Sequence, residues 1–158
     1  MSTMDIITQI VTAFLGSLGF SVLFNLRRTK LLIAALGGML SWGLFLLLGI
    51  WFTSEPIRYF FAAAFVTVYA EIFARIKKTP TTSYLVPGFI PMIPGGALYS
   101  TMKFALNTDW QLFGNAAAYT LQIALCITAG IVVVSSGMRM IVAAYRYLRN
   151  RFGAQKKF

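Results

Sequence analysis

The chain has no histidine, one cysteine and only four carboxylates in 158 residues. Without histidine there is no Ser-His or Cys-His dyad, no imidazole metal ligand and no histidine proton relay. A lone Cys126 cannot form an intrachain disulfide, and its position deep in an apolar run reads as a small packing residue. The acids Asp5, Glu55, Glu71 and Asp109 are too scattered for a metal cage, and three of them are expected near the outer surface. Gly16-Ser17-Leu18-Gly19 lacks the G-x-S-x-G spacing of a nucleophile elbow. Neither an enzyme nor a bound cofactor or metal is expected. Charge is scarce as well: 11% of residues are charged and 58% hydrophobic, too little charge to coat a soluble domain.

What is present is apolar and segmented. Uncharged runs cover residues 6–26, 31–54, 79–102 and 119–138, and a further run from Tyr59 is interrupted only by Glu71 before Arg75. The four uninterrupted runs are each long enough to cross a bilayer. The expected fold is an all-α integral membrane protein, a single membrane domain over residues 1–158. Five transmembrane helices are expected at about 5–24, 31–52, 57–76, 83–102 and 112–138. Residues 1–24 lack the basic n-region of a signal peptide, and their apolar run is too long for an h-region, so a retained first helix is expected.

Lysine and arginine set the orientation. With the N-terminus outside and the C-terminus cytoplasmic, twelve of the 14 basic residues fall inside and only Arg58 and Lys103 outside. The net charge of +10 is thus a topology signal and not a nucleic-acid footprint. The basic segment 139–158 carries Ile141, Tyr145, Leu148 and Phe152 on one helical stripe. It reads as a cytoplasmic continuation of the last helix over anionic lipid headgroups, with docking of a partner as the second reading. Rows of small residues at four-residue spacing (Ser17 and Ser21; Ala34 and Gly38; Ala116, Thr120, Ala124 and Thr128) allow close helix approach, within one chain or in an oligomer.

The fourth run departs from this regularity. Tyr84-Leu-Val-Pro87-Gly88-Phe-Ile-Pro91-Met-Ile-Pro94-Gly95-Gly96-Ala-Leu-Tyr99 places three prolines within eight residues. Each proline removes an amide donor and clashes with the carbonyl four residues back, so the carbonyls of Ser83, Pro87 and Ile90 are expected to lose their partners. Broken backbone survives at membrane depth only inside protein or along a polar cavity, and discontinuous helices are where transporters commonly hold substrate. A helix restarting near Ala97 would aim free amides and a positive dipole end at mid-membrane, suited to a carboxylate. Nearby polar candidates are Tyr99, Ser100, Thr120 and Gln122. Glu71 is the one acid well inside a span, hence a candidate for proton coupling. Its plain alternative is an ion pair with Arg75, one turn away. Glu71 and Pro87 lie equally far from their connecting loop, so antiparallel neighbours would set the acid against the first break.

At these residues the chain resembles the threonine/serine exporter (ThrE) family. The segment Val86-Pro-Gly-Phe-Ile-Pro-Met-Ile-Pro-Gly-Gly-Ala-Leu-Tyr99-Ser-Thr-Met102 looks like the signature of its C-terminal membrane half. The short length, the run Gly19–Asn25 and the basic end are similar to its small stand-alone subunits. The resemblance implies secondary export of small carboxylates, threonine and serine or a dicarboxylate such as succinate, across a bacterial inner membrane. It also implies a second, separately encoded subunit of about five spans, in line with five spans that show no internal repeat. Pro87, Gly88, Pro91, Pro94, Gly95, Gly96 and Tyr99 carry the motif over as substrate-binding positions. Glu71 is not part of the carried motif. The competing reading is a scaffold or regulatory subunit that does not itself transport.

Overall fold

The computed structural model describes residues 3–154. All the regular structure among them is helical: α1 (Thr3–Leu23), α2 (Thr29–Leu48), α3 (Glu55–Lys77), α4 (Thr82–Phe89), a 3-10 turn at Ile90–Met92, α5 (Gly95–Leu106) and α6 (Trp110–Ala154). Helices α1, α2, α3 and α6 are long and apolar enough to cross a membrane. Helices α1, α2 and α3 begin and end within four residues of the expected spans, the fourth expected span is divided into α4, the turn and α5, and α6 continues past residue 138 to Ala154. The last helix runs on without a break into the basic segment, where Ile141 and Tyr145 are exposed rather than packed. Lys156 and Lys157 of that segment lie outside the described residues.

Cross-helix contacts set the directions. The Trp42 indole donates to Gln9 and Gly38 abuts Ser17, so α1 and α2 are antiparallel. The Tyr69 hydroxyl donates to the Ile33 carbonyl while Tyr59 packs on Phe45, so α2 and α3 are antiparallel too. By contrast, α3 and α6 run parallel: Tyr119 meets Glu55 at the start of α3, and Gly130 meets Phe60 and Ala64 further along. The chain must therefore return from the Lys77 end to the Glu55 end between these helices. The broken unit α4–turn–α5 makes that return, α4 packing on α2 and α3 and α5 on α6.

The core is made of small side chains. Ala34, Ala35, Ala62, Ala63 and Ala70 are fully buried with Val66, Tyr84 and Met92. Between apolar helices in lipid the hydrophobic effect supplies little, and close packing of small residues replaces it. Glycine allows the closest approaches. A Cβ at Gly130 would stand 2.6 Å from the Phe60 carbonyl oxygen, and one at Gly38 would stand 1.8 Å from Ser17 Oγ. The small-residue row Ala116–Thr120–Ala124–Thr128 is not the face α6 turns to α3. That face is Ile123, Ile127 and Gly130, while Thr120 bonds Thr101 of α5 at 3.0 Å and Thr128 is exposed.

Candidate functional site: a cavity at the helix break

The break is shorter than three prolines imply. Helix α4 continues through Pro87, because a proline in the last turn of a short helix forfeits only one hydrogen bond, that of the Ser83 carbonyl. The carbonyls of Pro87 and Ile90 are re-partnered by tightening. The Ile90 amide donates to Pro87, and the Ile93 amide donates to Ile90 at 3.2 Å, bonds of the three-residue kind that replace the lost four-residue ones. The Gly88 carbonyl lies 3.1 Å from the Ser41 hydroxyl, which is also 2.9 Å from the Gly38 carbonyl and shares its proton between the two. The unwound backbone is confined to Ile93, which is extended, and Pro94, which caps α5. The expectation of a first break at Pro87 is thus corrected, and with it the idea that Glu71 faces one. Gly88, next to Pro87, meets Val66 of α3.

A cavity of about 380 Å³ opens where the backbone does unwind. Ile93, Pro94, Gly95, Gly96, Ala97 and Ser100 form one wall, and Trp42 of α2, Glu55 and Tyr59 of α3, and Ala116, Tyr119 and Ile123 of α6 close the rest. Its volume is in the range of small-molecule sites, and apolar walls with a few convergent polar groups are their usual make-up. Two features give it chemistry. The first is the start of α5, whose first-turn amides have no intrahelical acceptor and no side-chain cap. Gly95 donates instead to the Ile93 carbonyl at 2.7 Å and Leu98 to Pro94 at 3.0 Å, and Gly96 and Ala97 lie between them on the cavity wall. The second is Glu55, half exposed, which accepts a hydrogen bond from the Tyr119 hydroxyl and pairs with Arg58 at 3.4 Å.

Gly95 and Gly96 are not there for packing. A Cβ at either meets nothing within 4 Å, and neither has a positive φ. Without a Cβ at either position, the backbone at the start of α5 is left uncovered on the cavity wall.

The structure sorts the motif residues. Pro94, Gly95 and Gly96 line this cavity. Pro91 lines a second one of about 290 Å³ with Ile90, Gln9, Thr12, Ala13 and Gly16, on the other side of Trp42, which borders both. Pro87 and Gly88 are buried in the α4 contact and reach neither. Tyr99 is exposed and belongs to a separate surface hollow with Met102, Lys103, Leu106 and Asn107. Glu71 is ion-paired with Arg75 at 2.8 Å, with a second bond from Arg75 to the Glu71 carbonyl at 3.0 Å, and is absent from the cavity wall. Of the nearby polar candidates, Ser100 is on the wall, Thr120 is engaged with Thr101, and Gln122 is exposed on α6.

Trp42, Tyr59 and Tyr119 carry no signal in the sequence that marks them as site residues. Glu55 is expected from the sequence only as an acid near the outer surface, and nothing local links it to Tyr119, 64 residues on.

A family model described as threonine/serine exporter, ThrE, matches residues 9–136, a stretch that contains the break and every residue of the cavity wall. No curated protein and no solved structure matches. Given four long apolar helices and this match over most of its length, the chain is a multi-pass membrane protein and belongs to the threonine/serine exporter (ThrE) family.

Proposed function

We propose that the chain is a membrane subunit of a secondary exporter of small carboxylates, and that the substrate carboxylate binds at the start of α5. The observation that carries this is the uncapped α5 N-terminus opening, through two glycines with no packing duty, onto a partly open cavity walled by three other helices. A helix N-terminus presents amide donors and a positive dipole end to an anion. In this reading the broken unit is the fourth of five crossings, supported by the parallel run of α3 and α6, with the N-terminus outside and the basic end cytoplasmic in a bacterial inner membrane. A second membrane subunit of the same family completes the transport path, and the basic segment rests on anionic lipid.

The test is efflux of threonine, serine and succinate from cells carrying Gly95→Val or Gly96→Val. A valine side chain has room in the fold but not with a substrate against the backbone. Efflux falling tenfold or more at unchanged membrane abundance is the expected result; undiminished efflux removes the site. A scaffold role predicts instead that the partner subunit exports equally well without this chain. Glu71 is the candidate for proton coupling. Glu71→Gln then flattens the dependence of efflux on external pH, and an unchanged profile assigns the residue to its Arg75 pair alone.

A further inference from the structure

Binding a carboxylate requires donors, and the cavity supplies them at α5. It does not require an acid, yet Glu55 stands on the same wall. The carboxylate is held but not saturated. Oε2 receives the Tyr119 hydroxyl, and Oε1 faces Arg58 at 3.4 Å, beyond ordinary hydrogen-bond length. Arg58, though paired with Glu55, also packs on α2. Its guanidinium lies 4.9 Å from the centre of the Phe45 ring and against Gly49 at the end of α2, and it is not among the lining residues. A carboxylate offers about four acceptor positions, so Glu55 keeps capacity for a second cationic donor. Trp42, Tyr59 and Tyr119 line the same space, and aromatic faces attract an ammonium group further.

We infer that Glu55, positioned by Tyr119, is the specificity-determining residue of this cavity: it receives the ammonium of an α-amino acid and repels the second carboxylate of a dicarboxylate. The inference rests on the proposed use of the cavity as the substrate site. It goes further by naming the group that separates the two substrate classes. Attraction of the right charge and repulsion of the wrong one act through the same oxygen atoms.

The experiment is equilibrium binding to membranes containing the full chain, with three probes: L-threonine, 3-hydroxybutyrate (threonine without its amino group) and succinate. The wild-type protein is expected to bind threonine roughly tenfold or more tighter than 3-hydroxybutyrate, the size of one charge-assisted contact. Glu55→Gln should reduce that preference to within about threefold while retaining 3-hydroxybutyrate, and should improve succinate relative to threonine. Glu55→Asp, which keeps the charge, should retain part of the preference, and Tyr119→Phe should weaken it without reversing it. A preference unchanged in Glu55→Gln overturns the inference, as does an equal loss of threonine and 3-hydroxybutyrate, which marks a structural effect. Gly96→Val separates the two levels. If it abolishes binding of both while Glu55→Gln leaves the preference intact, the cavity stands and the ammonium contact falls. If it alters neither, the cavity is not the substrate site and both readings fall, as they do if the wild-type protein binds none of the probes.

Discussion

The two halves of the broken unit have similar residues and opposite surroundings. In α4, Tyr84, Pro87 and Gly88 are buried between α2 and α3; in α5 no residue is buried. A Cβ at Gly88 would stand 2.8 Å from Val66, whereas one at Gly95 or Gly96 meets nothing. Even the orphan backbone groups are treated differently. The Gly88 carbonyl is met by the Ser41 hydroxyl, while the first amides of α5 are left without a cap. A re-bonded Gly88 carbonyl and tight glycine contacts make α4 an anchor. An uncapped first turn and glycines with space set α5 apart as the half proposed to receive a ligand. One Pro-Gly motif therefore contains a packing element and a candidate binding element, and residue type alone does not separate them.

The comparison can be broken by exchanging what each half tolerates. The largest effect is expected for Gly88→Val, which drives added methyl groups into Val66 and the α2 backbone. A loss of about 1–3 kcal/mol, read as a lower unfolding temperature in detergent, should accompany loss of efflux. Gly96→Val should leave the unfolding temperature in place and lose only efflux. Equal thermal effects at the two glycines would erase the distinction. Ser41→Ala is a smaller test, removing the hydroxyl that serves the buried Gly88 carbonyl. About 1 kcal/mol of stability should go, against no measurable change for Ser100→Ala on the α5 side. Smallest is Tyr84→Phe. The Tyr84 hydroxyl is buried with no hydrogen-bond partner, so its removal should be neutral or stabilising by up to about 1 kcal/mol. A clear loss of stability would show that this hydroxyl has a partner in the working protein.

The sequence was informative where one dimension suffices. The apolar runs located α1, α2 and α3, because a bilayer-length apolar segment has few folded alternatives. The one-turn spacing of Glu71 and Arg75 permitted an ion pair as one of two readings, and the structure forms it. The prolines marked an interruption but overstated its length, since they show which amides are missing and not which carbonyls can be re-bonded nearby. Ile90 and Ile93 repair two of the three by forming a tighter turn.

The contents of the site were a different matter. Trp42, Glu55, Tyr59 and Tyr119 come from three helices, and each looks ordinary in its own segment. What brings Glu55 to Tyr119 is the parallel register of α3 on α6, and that register follows from the glycine contact at Gly130 and from Ile123 and Ile127 packing into the core. By itself the sequence determined that the chain is apolar, helical, asymmetrically basic and interrupted once, because composition and spacing act locally. Only the tertiary structure decided which side of the interruption is sealed and which acid faces the open side. Helix rotation and register are set by contacts between residues far apart in the chain.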